Sequence, residues 1–262
     1  MLLDIYGFLF SRTYFYRLNK ALLHAALRGI GVLNYKSDAA GGETHFLSKY
    51  LKYCTKPTIL DVGANEGSYS KAVLSLKKDA QVFAFEPHPS TYSRLSENVS
   101  GLGNVTAINA ACGREHGQLV LYDYSGSDGS GHASLHEGVI EKVHKGKSDQ
   151  HIVDVIDLDT FAADRKISVI DLLKIDTEGH ELEVLKGAAN LLREKRIKAI
   201  QFEFNEMNVV SRVFFKDFIE LLPDYKFYRM VRNGLVRIDP YLAFRCELFA
   251  YQNIVALPEQ RR

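Results

Sequence analysis

Cysteine is scarce in this 262-residue chain: Cys54, Cys112 and Cys246 are odd in number and share no paired spacing. That argues against a disulfide framework and a cysteine-based zinc site, and it suits small buried hydrophobes in a reducing compartment. Excess charge is lacking too. Lys and Arg number 33 against 32 Asp and Glu, a net charge of +1, where a dedicated nucleic-acid binder carries a clear basic excess. No apolar run of about 18 residues exists to span a bilayer. No cationic region precedes a compact apolar stretch at the N-terminus, as an export signal requires, so the expectation is a cytoplasmic chain. A phosphate-binding loop ending in Gly-Lys-Ser/Thr is absent. What remains, 46% hydrophobic and 25% charged residues, is an ordinary globular composition, long enough to bury a full core in one domain with an extension.

Residues 1–36 stand apart. Arg12, Arg17, Lys20, Arg28 and Lys36 oppose a single acid, Asp4, among Tyr6, Phe8, Phe10, Tyr14, Phe15, Tyr16 and Tyr35. On a helix, Tyr14, Leu18, Ala21, Leu22 and Ala25 share one face, and Arg17, Lys20, His24 and Arg28 lie on the other. A basic amphipathic helix of this kind can rest on an anionic membrane surface, here at the inner face. The plainer expectation is an extra helix packed on the main domain with its cations solvated. Gly29 and Gly31 end the helix and Gly41-Gly42 mark a break. Phe46, Leu47, Tyr50, Leu51 and Cys54 then recur at helical spacing. The division expected is a helical extension over 1–54 and a second unit over 55–262.

From Lys56 onward short apolar strands alternate with amphipathic helices, the pattern of a parallel α/β sheet. Strands are expected at 58–62, 81–85 and 105–109, with helices at 68–76 and 89–99. Segments 118–124 and 151–158 alternate as antiparallel or edge strands do. The continuous apolar run 169–175 reads as a central strand covered on both faces. A helix over 181–192, a strand over 199–204 and a helix over 213–222 follow. Segments 225–231 and 247–255 then form a closing hairpin-like pair. The glycine- and serine-rich loop 125–131 lies between segments 118–124 and 151–158.

The strongest motif is ILDVGANEG at 59–67. A strand containing Asp61 runs into a turn whose Gly63 and Gly67 allow close backbone approach, and the next helix offers free N–H groups and a positive dipole end. Glu86 follows the second strand, where a carboxylate accepts hydrogen bonds from ribose hydroxyls. A dinucleotide fingerprint needs a third glycine beside the pyrophosphate. Here Ser68, Tyr69 and Ser70 follow instead, so Gly63, Asn65 and Gly67 match the turn that binds S-adenosylmethionine (SAM). The Tyr-x-x-x-Lys pair of short-chain dehydrogenases occurs only as Tyr16–Lys20, ahead of the glycine turn.

A second constellation, DLLKIDTEGHE at 171–181, delivers Lys174, Asp176, Glu178, His180 and Glu181 to the carboxyl end of a buried strand, the edge where open α/β sheets bind ligands. Ionisable groups there are costly unless paired or used. Acid capping of a helix N-terminus accounts for some of them. In the third, QFEFNE at 201–206, Glu203 and Asn205 share one side of a strand end and with Asp176 offer oxygens to Mg²⁺. Glu203 paired with Lys174 is the alternative. His132 and His136 lie four apart, but in a glycine-rich loop without a cysteine partner, which disfavours zinc. A histidine of that loop remains a candidate base.

The ordered set LDVGANEG (60–67), FEPHP (85–89), NAACG (109–113), LKIDTEGHE (173–181) and VLKG (184–187) resembles the FkbM family of SAM-dependent methyltransferases over about residues 59–257. That resemblance implies a Rossmann-like, mostly parallel seven-stranded sheet with an antiparallel last strand and helices on both faces. It also implies O-methylation of sugars, polysaccharides or polyketides. Carried onto this chain, Gly63, Asn65 and Gly67 would face the methionine part of SAM and Glu86 the ribose, with Asn109 and Ala110 near the adenine. Asp176 and Glu178 would stand at the methyl-transfer end, with Asp176, Glu178 and His180 the candidate bases in that order. The partner implied is a glycan or small-molecule acceptor. An NAD(P)-dependent sugar-modifying oxidoreductase and a non-catalytic SAM-fold binding module are the competing readings.

Overall fold

A computed structural model of the chain describes residues 1–34, 41–124, 135 and 148–259. The loop 125–131, His132 and His136 lie outside the described residues. The elements run α1 (Leu2–Phe10), a 3₁₀ turn (Thr13–Phe15), α2 (Tyr16–Gly29), α3 (Glu43–Leu51), β1 (Thr58–Val62), α4 (Ser68–Leu76), β2 (Gln81–Phe85), α5 (Pro89–Val99), β3 (Val105–Ile108) and β4 (Ala111–Cys112). Then come β5 (Gly117–Tyr124), β6 (Ser148–Ile156), α6 (Leu158–Asp164), β7 (Leu172–Ile175), α7 (Glu181–Lys186), α8 (Ala189–Arg193) and β8 (Ile200–Phe204). The chain closes with α9 (Met207–Ser211), α10 (Phe215–Leu221), β9 (Tyr225–Val231), β10 (Gly234–Arg237), α11 (Ala243–Cys246) and β11 (Gln252–Pro258).

The main sheet is ordered β10-β9-β11-β8-β7-β1-β2-β3. β3, β2, β1, β7 and β8 run parallel, and β11 inserts antiparallel between β8 and β9. This is the mostly parallel Rossmann-like sheet expected, with its last strand reversed, but it has eight strands rather than seven. The extra strand, β10, is hairpinned onto β9 through Arg232-Asn233, with Gly234 opposite Val231. The closing pair expected at 225–231 and 247–255 does form, yet residues 243–246 are helical and the strand begins only at Gln252. β4, β5 and β6 form a separate three-stranded sheet.

Alternation along the strands covers both faces of the sheet. Ile59, Val82 and Leu172 join Phe46, Leu47 and Leu51 of α3 and Tyr69 and Val73 of α4 in one cluster. Leu60, Val62, Leu173 and Ile175 point the other way, into a cluster with α6, α7 and α10. On that side Phe202 stacks on Phe218 at 4.4 Å. Thus α3 belongs to the core of the main unit. Among the described residues, neither helix of the α1–α2 segment buries a side chain.

The helix expected over 181–192 is broken into α7 and α8. A Cβ at Gly187 would lie 2.0 Å from the Gly113 carbonyl oxygen, and the Gly187 carbonyl accepts from Asp159 N at 2.9 Å. The helix stops where its backbone must touch the neighbouring loop.

Candidate active site

The turn after β1 holds Gly63, Asn65 and Gly67 at φ of 74°, 48° and 86°. Three left-handed residues in five explain why two are glycine and one is asparagine. Gly63 N and Ala64 N both donate to Phe85 O, at 3.0 and 2.9 Å, which fixes the turn to the end of β2. A Cβ on Gly63 would sit 1.8 Å from the Asp176 carbonyl, so this turn also presses on the end of β7. Glu86, next along from β2, is buried and accepts from Asn65 N at 3.0 Å and His88 N at 2.9 Å. Burial pushes its carboxyl up to about 7, against the lowering effect of those two amides.

Between these groups opens a cavity of about 90 Å³, walled by Phe85, Cys112 and Leu121 and edged by Asp176 and Glu178. Gly63, Asn65, Glu86 and Ala110 of the expected cofactor set line it. The other three of that set do not line it. Asp61 is fully buried, accepting from Ser70 Oγ at 2.7 Å and pairing with Lys174 at 3.4 Å. Gly67 starts α4, with room for a Cβ denied by Leu95 at 2.8 Å. Asn109 Nδ2 donates to the carbonyls of Glu86 and Pro87 at 2.8 and 3.0 Å and so shapes the backbone around Glu86.

On the other side of Gly63 and Asn65 lies a second cavity of about 290 Å³. Its floor is set by register: Asp61, Lys174 and Gln201 are neighbours across β1, β7 and β8, on the face covered by α3 and α4. Lys174 Nζ donates to Gly63 O at 3.0 Å, pairs with Asp61 and Asp176 at 3.4 Å each, and lies 5.4 Å above the Tyr69 ring. Burial alone would lower this ammonium, but Asp176, Asp61 and Glu43 outweigh it and hold Lys174 above its usual range. Tyr69 OH donates to Gln201 Oε1 at 2.8 Å, and Gln201 in turn donates to Glu43. Glu203, Tyr251 and Asn253 complete the rim. Burial, then the Asp176 and Glu178 carboxylates, raise the Glu203 carboxyl well above the ordinary range.

Asp176 edges both cavities, with its side chain 41% exposed. Glu178 edges the first only and holds φ at 51°. Their loop is organised by buried Glu181, whose Oε1 accepts from Thr177 N, Thr177 Oγ1 and Gly179 N at 3.0, 3.1 and 3.0 Å. Burial pushes the Glu181 carboxyl up to about 7. His180 is not brought to this edge. It begins α7 on the far side, lining another cavity with Gly113 and Val155, and this removes it from contact with either pocket. Nor does the oxygen set expected for Mg²⁺ assemble: Asn205 Nδ2 donates to Glu203, while its Oδ1 accepts from Met207 N at 2.7 Å. Among the described residues no group of three potential metal ligands comes together.

Glu43, Tyr69, Gln201, Tyr251 and Asn253 did not stand out as site residues. Only Glu43 carried a signal, after the Gly41-Gly42 break. Tyr69 reaches the cavity from the first turn of α4, and Gln201, Tyr251 and Asn253 reach it through strand register and the insertion of β11, which no local pattern announces.

Methyltransferase FkbM domain is the family whose model matches, over residues 61–228. That span includes the glycine turn, Glu86 and the whole Asp176–Glu181 loop. The 2-O-methyltransferase NoeI of Sinorhizobium fredii is 26% identical over 189 residues, 68% of this chain and 76% of that protein. The hexuronic acid methyltransferase AglP of Haloferax volcanii is 32% identical over 156 residues, 58% of this chain and 59% of that one. Among solved structures, the human methyltransferase 10 domain containing protein superposes with a TM-score of 0.48 at 12% identity, covering 92% of this chain and 95% of that chain. With a turn, an acid and a strand-edge loop in the order that family prescribes, and its model matched over most of the main sheet, this chain belongs to the FkbM methyltransferase family.

Proposed function

We propose that the chain transfers a methyl group from SAM to a hydroxyl of a sugar or polysaccharide. The observation that carries this reading is Asp176, shared by two adjoining cavities of different character. The first fits a nucleoside: apolar walls, one buried carboxylate for ribose hydroxyls, and the Gly63–Asn65 backbone beside it. Glu86, Ala110, Gly63 and Asn65 would hold the cofactor there. SAM, when bound, supplies a methyl group already activated on a sulfonium.

The second cavity would take the acceptor. Its tyrosines, amides and carboxylates suit a polyhydroxylated ring. Glu43, Glu66 and Asp176 against Lys174 favour an uncharged sugar over an acidic one. Asp176 would accept the hydroxyl proton at its carboxylate while Lys174, paired to it, keeps it aimed at the seam. Glu203, its carboxyl raised by burial and by Asp176 and Glu178, lines the same cavity. Alignment in such a site supplies several kcal/mol, and the base about 10²–10⁴-fold. NoeI, by name a 2-O-methyltransferase, supports transfer to an oxygen, and AglP, by name a hexuronic acid methyltransferase, supports a sugar acceptor.

Calorimetric titration with SAM and with NAD, followed by methyl transfer to neutral and to uronic oligosaccharides, tests the proposal. Binding of NAD in place of SAM would favour an oxidoreductase, although Tyr16 and Lys20 both lie on α2, outside the site. SAM binding without turnover on any acceptor would favour a non-catalytic module.

A further inference from the structure

The α1–α2 arm is a built unit that nothing among the described residues covers. Tyr6 stacks on Phe10 at 4.8 Å, Phe10 meets Phe15 at 4.7 Å, and Asn19 Nδ2 donates to the Phe10 carbonyl at 2.9 Å, which holds the elbow between the helices. Its base is fixed to the main unit. Val32 is fully buried, Leu33 N donates to Tyr251 O at 2.8 Å, and a Cβ on Gly31 would overlap the Met230 carbonyl at 2.2 Å. Beyond that base the arm exposes Leu2 at 80%, Leu3 at 85% and Phe8 at 78%, together with Leu9, Leu18, Leu22 and Leu23. Single exposed apolar residues need no explanation, but a run of them over two helices marks an interaction surface.

Charge identifies the occupant. Arg17, Lys20, His24 and Arg28 recur along one face of α2, opposite Leu18, Leu22 and Ala25. No carboxylate among the described residues pairs with Arg12, Arg17, Lys20 or Arg28. Asp4, the arm's one acid, is engaged by the Met1 ammonium at 2.6 Å. The elbow itself is concave, lined by Ser11, Arg12, Thr13, Tyr16 and Asn19, which are donors suited to phosphate oxygens. The partner is therefore apolar within and anionic at its rim. A second copy of the chain would bring the same cations face to face across a two-fold axis. With 9 and 14 residues, α1 and α2 also fall short of the roughly 20 needed to span a bilayer. Among the described residues no helix is long and apolar enough to cross a membrane.

We propose that the arm docks the protein on an anionic phospholipid bilayer. Leu2, Leu3 and Phe8 enter the acyl boundary, and Arg12, Arg17, Lys20 and Arg28 lie among the headgroups. The test is flotation of the full chain with phosphatidylglycerol–phosphatidylcholine vesicles beside pure phosphatidylcholine. Binding to the anionic vesicles alone, weakened by salt, is the expected result. The double variants L3S/F8S and R17E/K20E should each lower it about tenfold or more while melting like the parent chain. Failure to float with anionic vesicles, or equal binding to neutral ones, overturns the proposal. A dimer in solution that L3S/F8S dissociates does so as well, since a second copy would then cover the arm.

Discussion

The two cavities flanking Gly63 differ in how the chain assembles them. The first takes Gly63, Asn65 and Glu86 from the turns directly after β1 and β2, with Asn65 and Glu86 joined by one hydrogen bond of 3.0 Å, and its remaining walls from Ala110, Cys112, Leu121 and the loop after β7. The second draws Glu43 from α3, Tyr69 from α4, Lys174 from β7, Gln201 and Glu203 from β8, and Tyr251 and Asn253 from the approach to β11 and β11 itself. A site that holds a constant ligand can be written as a local motif. A site that must vary with the acceptor is distributed, so that each wall changes without disturbing the others.

Breaking both cavities at once should have the largest effect. Gly63→Ala forces a Cβ into the Asp176 carbonyl at a positive φ, so SAM binding and methyl transfer should both be lost, measured by calorimetry and by turnover. Retained SAM affinity in that variant would show that the turn is not the shared wall. Next in size, Asp176→Asn should lower kcat about 10²–10⁴-fold with SAM affinity nearly intact. Unchanged turnover would take Asp176 out of the chemistry.

Glu86→Gln addresses the first cavity alone. It should weaken SAM binding about tenfold on the alkaline side of neutrality, one charged hydrogen-bond contribution. The pH dependence follows from the raised carboxyl. Glu86 titrates at about 7 when folded, so its affinity for ribose hydroxyls should rise as pH increases through that value, and Gln should flatten the profile. The same shift affects stability with the opposite trend. From about 4.5 to about 7 the folded chain binds protons at Glu86 and Glu181 that the unfolded chain has released, so these two groups subtract stability as pH rises. Thermal melting of the ligand-free Glu86→Gln variant should show a smaller fall across that window. Smallest of all, Tyr69→Phe deletes the donor to Gln201 in the second cavity. It should cost about 0.5–1.5 kcal/mol of stability and raise the acceptor KM while leaving SAM affinity unchanged.

Most of the α/β order was legible because the apolar runs of β1, β2 and β8 and the starts of α4 and α5 are local events. Pro89 follows the His88 cap, and the left-handed Gly67 begins α4. The eighth strand was missed because its two-residue loop, Arg232-Asn233, carries no glycine and no left-handed residue to mark a hairpin. The break at Gly187 was not legible at all, because its cause is the Gly113 carbonyl, a contact between distant loops. His180 reads as part of a catalytic run, yet the first turn of α7 rotates it to the opposite side from Asp176.

By itself the sequence determined the sheet type, the SAM-like turn with its acid and the loop at the end of β7, since each depends on backbone conformations and periodicities set by neighbouring residues. Only the tertiary structure decided which side chains line the second cavity. Strand register aligned Asp61, Lys174 and Gln201 across three strands, and the insertion of β11 carried Asn253 to the same rim. It also decided that α1 and α2 stand off the core, because burial is a property of what packs against a helix and not of the helix alone.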